Sequence, residues 1–326
     1  MANVGGTSSR GQLMLVAALG MAVLFVTLAL TLNTVIYTEN LATRGNDPAG
    51  GQNALEYRNS AQEGVAGLIE HTNYEHNTTY SALESNLSQG VEDWNEQAGT
   101  HGAASGAVSN TSLKSSHRGT RIVQDVDRNF TDDDANSTWT LAEDVSGTRE
   151  FKMNISKNNL VSTLLGNLFS ADEFMVQFDD GDPSPWNVSV YEESSDIVVT
   201  VHHDGTDFGE CRVGGNRAVI DISGETVGDT DCPELGYLDN VSTPYSIRYT
   251  KAVDGGGDDT INGTYELIVD KESVDPDPDP YFAEGSSNGP YLTEALYKAA
   301  IRFGYNSTRL EYVSETEIIP GETIHD

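Results

Sequence analysis

Three patterns of hydrophobic and polar residues follow one another along this chain of 326 residues. Residues 13–36 form an uncharged, largely apolar run of 24 residues. Between Ala54 and Ala98, apolar residues recur at the spacing of one helix face. From Trp139 onward, short β-type segments are separated by Gly, Asp and Pro. This order predicts an α+β fold, with an N-terminal transmembrane helix, a helical segment and a β-rich, antiparallel sandwich-like extracellular head.

The apolar run 13–36 is long enough to cross a lipid bilayer. A helix that rises about 1.5 Å per residue would span roughly 36 Å here, against about 30 Å for the hydrocarbon core. Arg10 precedes the run, and the positive-inside rule places it in the cytoplasm and the bulk of the chain outside. A cleaved secretory signal is less favoured, because its apolar region is shorter, about 7–15 residues. We therefore predict a single-pass protein of the cell membrane, with the lipid bilayer as a partner.

Two helices are predicted after this anchor, and the segment Asn77-Thr78-Thr79 between them offers residues that cap a helix N-terminus. Their apolar positions are Ala54, Ala61, Val65, Leu68 and Ile69 in the first, and Tyr80, Leu83, Leu87, Val91, Trp94 and Ala98 in the second. Shorter helices are predicted from the four-residue spacing of Ile122, Val126 and Phe130, over Leu160–Phe169, and from Leu292 to Phe303.

About seven short strands are predicted in the head, with a further strand at Glu311–Ile319. They are Phe151–Ile155, Phe174–Phe178, Trp186–Tyr191, Ile197–His202, Ala218–Ile222, Tyr245–Thr250 and Tyr265–Val269. The alternating Asp and Pro of Asp275–Pro280 indicate an extended linker. The predicted divisions are a leader at 1–11, a transmembrane helix at 12–37, a helical region at 38–135, a β-rich head at 136–274 and a C-terminal linker, helix and strand at 275–326.

The net charge of -33 changes the expected setting of the protein. Self-repulsion of this size destabilises a compact chain in dilute buffer, whereas at molar salt the screening length falls to about 3 Å. The composition is therefore typical of a halophile. It disfavours nucleic-acid binding, which requires clustered Lys and Arg.

Ten Asn-x-Ser/Thr sequons all lie beyond the apolar run, which indicates an exported glycoprotein. They are Asn77, Asn86, Asn110, Asn129, Asn136, Asn154, Asn187, Asn240, Asn262 and Asn306. In an exported chain the two cysteines, Cys211 and Cys232, indicate one disulfide bond. Two cysteines without a CxxC spacing or a nearby histidine do not favour a metal site.

Few residues suggest chemistry. His202-His203-Asp204 could bind a metal, but adjacent strand residues point to opposite faces, so the two imidazoles would not converge. The turns Asp179–Asp182 and Asp254–Asp259 could offer oxygen ligands to Ca²⁺, although neither has the spacing of an EF-hand loop. Recognised phosphate, dinucleotide, protease and esterase motifs do not occur. We therefore predict no enzymatic activity, no cofactor and no metal site.

The segment Arg10-Gly11-Gln12, followed by an apolar helix, resembles the class III leader of archaeal type IV pilins and pilin-like proteins. The resemblance implies that a prepilin peptidase cuts between Gly11 and Gln12 and that other pilin-like subunits are partners. One departure is that the fifth mature position holds Val16, where many type IV pilins carry Glu. An uncleaved single-pass anchor is the alternative.

The expected function is that of a membrane-anchored, extracellular, pilin-like structural or adhesive surface protein of a halophile. A non-polymerising surface-binding or envelope protein is the alternative, and an anchored exoenzyme is the third hypothesis.

Overall fold

The computed structural model describes residues 48–75, 79–104, 106–162, 173–250, 261–274, 276, 279–283 and 289–321. The predicted leader residues Arg10, Gly11 and Gln12, and the predicted transmembrane helix at 12–37, lie outside these ranges. Within them, none of the helices combines the length and the apolar character that a membrane crossing requires.

Two helices begin the described chain, α1 (Pro48–Glu75) and α2 (Tyr80–Ala104). The backbone N–H groups of Ala82 and Leu83 donate to the side-chain and backbone oxygens of Thr79, which therefore caps α2. Each helix buries one apolar face, as the spacing predicts. The fully buried side chains are Ala61, Val65 and Ile69 in α1 and Leu83 and Leu87 in α2.

Eight strands form the larger sheet, sheet A. They are β1 (Ala107–Asn129), β3 (Thr148–Ser156), β8 (Arg217–Asp221), β9 (Thr226–Val227), β10 (Thr230–Asp231), β12 (Asn262–Val269), β13 (Tyr291–Ser307) and β14 (Glu311–Ile318). Their order is β10-β9-β8-β3-β12-β1-β13-β14, and every neighbouring pair is antiparallel.

Six strands form sheet B, which is also antiparallel. They are β2 (Trp139–Val145), β4 (Phe174–Asp179), β5 (Trp186–Glu193), β6 (Asp196–His203), β7 (Thr206–Gly214) and β11 (Tyr245–Thr250), in the order β2-β11-β4-β5-β6-β7. Short 3₁₀ helices follow β3 at Lys157–Asn159 and precede β11 at Leu235–Asn240.

The main core lies between the two sheets. Phe151 and Met153 of sheet A belong to the same buried cluster as Phe174 and Tyr249 of sheet B. Phe130, just after β1, stacks on Tyr249 with ring centroids 5.4 Å apart. Burying such large side chains contributes about 1.5–3 kcal/mol each to folding.

A second core joins the helices to the far end of sheet A. Val65 and Ile69 of α1 and Leu87 of α2 pack with Ile301 and Phe303 of β13. The helices therefore cover one face of β1, β13 and β14, beyond the part of sheet A that packs on sheet B.

The predicted α+β division, with its C-terminal helix, is wrong for the described chain, which is mostly antiparallel β-sheet. Ile122 and Val126 lie in β1, and Leu292 to Phe303 lies in β13. Residues four apart share a face in a strand as well as in a helix, so the spacing of Ile122 and Val126, and of Leu292 and Leu296, did not distinguish the two. The pairing of β1 with β13, from Ala107 opposite Ser307 to Val123 opposite Tyr291, then fixed the extended conformation. The predicted helix Leu160–Phe169 lies mostly outside the described residues.

A bulge in β13 is held by side chains from two other elements. The register with β1 shifts between His117 and Arg118, which leaves Tyr297 as the extra residue. The fully buried Asn73 of α1 donates to the Leu296 carbonyl at 3.0 Å and accepts from the Leu296 N–H at 2.8 Å. Arg149 of β3 donates to the Leu296 and Tyr297 carbonyls at 2.7 and 3.0 Å.

The predicted disulfide bond between Cys211 and Cys232 is confirmed. Cys211 lies in β7, the edge strand of sheet B, and Cys232 directly follows β10, the edge strand of sheet A. The bond therefore links the edges of the two sheets, rather than one strand to its immediate surroundings.

Replacing Asn73 with Ala should lower the free energy of unfolding by about 2 kcal/mol, because a buried backbone N–H loses its partner. Urea unfolding at fixed molar salt measures the effect. Asn59→Ala is the matched control, since Asn59 is an exposed residue of the same helix. Equal stability of the two variants would contradict the role assigned to Asn73.

The double substitution Cys211→Ser and Cys232→Ser should lower the free energy of unfolding by about 3 kcal/mol, because the unfolded chain gains the entropy of an open loop. Thermal unfolding of the oxidised wild type, the reduced wild type and the double variant measures this. The two forms without the bond should melt together, and a variant as stable as the oxidised wild type would contradict the prediction.

Candidate functional site

One concave site is a pocket between the C-terminal part of α1, strand β3 and the 3₁₀ helix Leu235–Asn240. Its volume is about 280 Å³. Five carboxylates line it, and we call it the acidic pocket. They are Glu70, Glu150, Asp221, Glu225 and Asp239.

Arg149 and Glu150 form a buried ion pair in this pocket, with 4% and 11% of their side chains exposed. Arg149 also lies 5.8 Å from the centroid of the Tyr297 ring. These contacts and its hydrogen bonds to β13 hold the guanidinium between β3 and the bulge, where it has a structural role. Glu150 adopts φ 54° where β3 shifts register against β12. The kink turns its carboxylate toward the pocket wall.

The second oxygen of Glu150, Oε2, is buried and has no hydrogen-bond partner among the described residues. Burial raises the pKa of the Glu150 carboxyl above its ordinary value, and the carboxylates of Glu70 and Glu266 raise it further. The positive charge of Arg149 acts in the opposite direction. Glu150 is therefore the group in the pocket most suited to hold a proton.

Two further charges of the pocket, those of Lys152 and Asp221, are engaged within the protein. Lys152 Nζ lies 3.5 Å from Asp221 Oδ2, and Asp221 Oδ1 accepts the Gly224 N–H at 2.8 Å. Phe178, Leu235 and other apolar residues form the opposite wall. The pocket thus has room for a small group, but the described carboxylates in it do not converge closely enough to form a metal-ligand set.

A polar cluster beside the pocket fastens the end of α1 to sheet A. The hydroxyl of Tyr74 donates to Glu266 Oε1 at 2.5 Å, and Arg121 Nη2 donates to Glu266 Oε2 at 2.6 Å. The Arg121 guanidinium lies 4.8 Å from the centroid of the Tyr74 ring. Burial and the Glu266 carboxylate raise the pKa of Tyr74, so its hydroxyl remains a donor.

The histidine pair occupies the end of β6. The ring of His203 stacks on Trp186 with centroids 4.3 Å apart and an angle of 6° between the planes. His202 stands opposite Asn187 on one neighbouring strand and Asp207 on the other. Burial lowers the pKa of His202, and nearby Asp207 opposes that shift. The stacking on Trp186 thus fixes the position of the His203 ring.

In the turn at Asp179–Asp182, the carboxylates accept hydrogen bonds from backbone N–H groups. Asp179 accepts the Gly181 N–H at 3.0 Å, and Asp180 accepts the N–H groups of Asp182 and Ser242 at 3.2 and 3.0 Å. These bonds give the carboxylates a structural role. The second predicted turn, Asp254–Asp259, lies outside the described residues.

Within the described ranges, one group of potential ligand atoms lies close enough together for a metal, namely Cys211, Cys232 and Glu234. The two sulfur atoms are joined in the disulfide bond and are not thiolates. A metal needs deprotonated thiolates from such residues, so this group does not fit a metal ion.

The sequons differ in exposure. Five asparagines are exposed, namely Asn110, Asn129, Asn136, Asn240 and Asn306. Four are half-buried, namely Asn86, Asn154, Asn187 and Asn262. Asn77 lies outside the described residues. Glycosylation of these sites stays a prediction.

Residues 7–138 match a protein family described as a family of unknown function (DUF7261). The matched stretch contains the apolar run 13–36, both helices and β1. No curated protein and no solved structure matches the chain.

Glu150→Gln should remove a pH dependence from the free energy of unfolding. Because the folded pKa of Glu150 lies above the unfolded value, this carboxyl contributes stability below the unfolded pKa and loses it as pH rises through the folded pKa. Urea unfolding from pH 4 to 8 at fixed molar salt should show the wild type losing stability relative to the variant as pH rises. Glu143→Gln, at an exposed position, is the control, and a difference independent of pH would refute the assignment.

Proposed function

We propose that the protein is an exported, pilin-like structural or adhesive surface protein of a halophile, attached to the membrane through the apolar segment 13–36. The outward position of five sequons carries this proposal. They lie on different parts of the domain, in β1, in β13, in the connection before β2 and in the 3₁₀ helix before β11. A glycosylated surface molecule requires this distribution, since a bulky sugar needs solvent around its asparagine.

The disulfide bond supports the same compartment. Disulfides persist in oxidising surroundings and are rare in the reducing cytosol. Here the bond lies between two sheet edges, where local opening would otherwise begin.

The distribution of charge supports the halophilic setting. Edge strand β14 exposes Glu311, Glu315 and Glu317 on one face. Exposed charges on an edge strand oppose pairing with another chain, and molar salt screens their mutual repulsion.

The pilin-like part of the proposal rests on the resemblance of Arg10-Gly11-Gln12 and the following apolar run to a class III leader. The runner-up function is a surface-binding or envelope protein that does not polymerise. The observation that favours the runner-up is Val16 at the fifth mature position, where many pilins carry Glu.

N-terminal sequencing and intact mass of the protein from native membranes test the proposal. We expect a mature chain that begins at Gln12, and a Gly11→Val variant that keeps its leader because the larger side chain blocks entry of the scissile bond into the peptidase. Gln12→Asn is the matched control and should still be cut.

A membrane-bound wild type that keeps Arg10 and Gly11 would overturn the pilin-like proposal in favour of the runner-up. Recovery of the wild type in the cytosol, protected from protease added to whole cells, would overturn export itself.

A further inference from the structure

One sheet face opposite the helices is left open by the described elements. It is formed by the first part of β1, the last part of β13 and β14. In these strands Thr111 and Phe303 are buried beneath the helices, and Tyr57 of α1 bonds to the Thr111 hydroxyl at 2.8 Å. Because side chains alternate along a strand, their neighbours point to the other side. Val108, Asn110 and Asn306 are accordingly exposed, and we call this surface the open face.

Two sequons lie side by side on the open face. Asn110 stands opposite Gly304, and Asn306 stands opposite Val108, so the two asparagines are diagonal neighbours on adjacent strands. Diagonal neighbours of this kind are about 7–8 Å apart. Gly304 between them offers no side chain, and Val313 of β14 stands on its other side.

We propose that Asn110 and Asn306 both carry N-linked glycans, and that these glycans cover the open face over Gly304, Val108 and Val313. The inference rests on the proposed export and goes beyond it, because it selects two of the ten sequons and gives their sugars a structural task. The open face is thus covered by glycans attached to the protein itself.

The transfer reaction needs access to the asparagine amide. Asparagine Nδ2 forms a bond to the anomeric carbon of a sugar, the bond from that carbon to a lipid-linked phosphate donor breaks, and the amide proton passes to the transferase. Asn110 and Ser112 lie two residues apart in one strand, so the amide and the sequon hydroxyl face the same side. Thr308 of the other sequon is exposed just beyond β13.

Asn187 shows the opposite arrangement. Its Nδ2 donates to the Pro185 carbonyl at 2.9 Å, and its Oδ1 accepts from Gln177 at 2.8 Å. Ser189, the hydroxyl residue of this sequon, is 1% exposed. The exposed Asn136 and Asn240 also donate from Nδ2, to Asp132 and to the Tyr237 carbonyl. The buried Ser189 is therefore what distinguishes Asn187 and leaves it unmodified.

The composition of the open face favours sugars over a second copy of the chain. Val108 is 72% exposed and Val313 50%, but the strand that borders them carries Glu311 and Glu315. Glu315 lies 3.8 Å from Arg302, so the repulsion that a second copy would meet at this edge comes mainly from Glu311. Neutral sugars can cover the two valines without that repulsion.

Glycopeptide mass spectrometry of the full chain from native membranes tests the inference. We expect glycan mass on the peptides that contain Asn110 and Asn306 and none on the peptide that contains Asn187. Ser112→Ala and Thr308→Ala should each remove one glycan while the asparagine stays. Ser242→Ala is the matched control, because it removes the distant Asn240 sequon at an exposed position.

The covering role has its own measurement. The Ser112→Ala, Thr308→Ala double variant should show a sedimentation coefficient that rises with protein concentration, whereas the wild type and Ser242→Ala should not. An unchanged melting temperature would show that the double variant is folded. Concentration-independent sedimentation of a folded double variant would overturn the covering role.

The remaining outcomes separate this inference from the proposed function. Bare Asn110 and Asn306 beside a glycosylated Asn136 or Asn240 would overturn the inference and leave export standing. A glycan on Asn187 would overturn the selection by the fold. Bare sequons throughout, on a chain confined to the cytosol, would overturn both.

Discussion

The antiparallel pairing of β1 with β13 connects the two hydrophobic cores of the molecule. Toward the middle of the domain, Ile122 and Leu292 belong to the core between the sheets, whereas Leu113 and Ile301 pack under the helices at the other end. The same two strands therefore serve two different partners. Register shifts along the ladder, at Leu113/Ser115 and His117/Arg118, allow the strands to bend between these environments.

This bend depends on polar side chains from distant parts of the sequence. Asn73 and Arg149 satisfy the backbone of Leu296 and Tyr297, which would otherwise be buried without partners. Arg149 in turn donates to a Glu150 oxygen, which remains an acceptor for the buried guanidinium in either protonation state of that carboxyl. Salt screens surface charges far more than buried ones, so high ionic strength changes this buried contact little.

The surface and the interior thus use charge in different ways. Exposed carboxylates such as Glu311 keep an edge strand hydrated and separate from other chains, while in the acidic pocket Glu150 pairs with Arg149 and Asp221 with Lys152. The asparagines on the open face provide positions for neutral, bulky groups.

Local sequence determined those features whose cause is local. The three- and four-residue spacing through Val65 and Ile69, and through Leu83 and Leu87, lies in two helices, and the alternating residues from Trp186 to Val190 lie in β5. The single pair of cysteines formed a disulfide bond. In these cases the residue spacing fitted one kind of secondary structure, or the cysteine had one available partner.

Tertiary structure decided the rest. The four-residue step from Leu292 to Leu296 fits one face of a helix and of a strand alike, and the bulge at Tyr297 brings Leu296 and Ala299, three residues apart, into one core. The long pairing with β1 therefore decided that β13 is extended from Leu292 to Phe303. The acidic pocket brings Glu70, Glu150 and Asp239 together from three distant segments, and Asn73 meets Leu296 across 223 positions. An arginine and a glutamate before the apolar Phe151 were the only local sign of the buried pair. Which backbone group each side chain would satisfy was settled by the packing of helices and sheets, because a buried polar group takes its partner from whatever the fold places beside it.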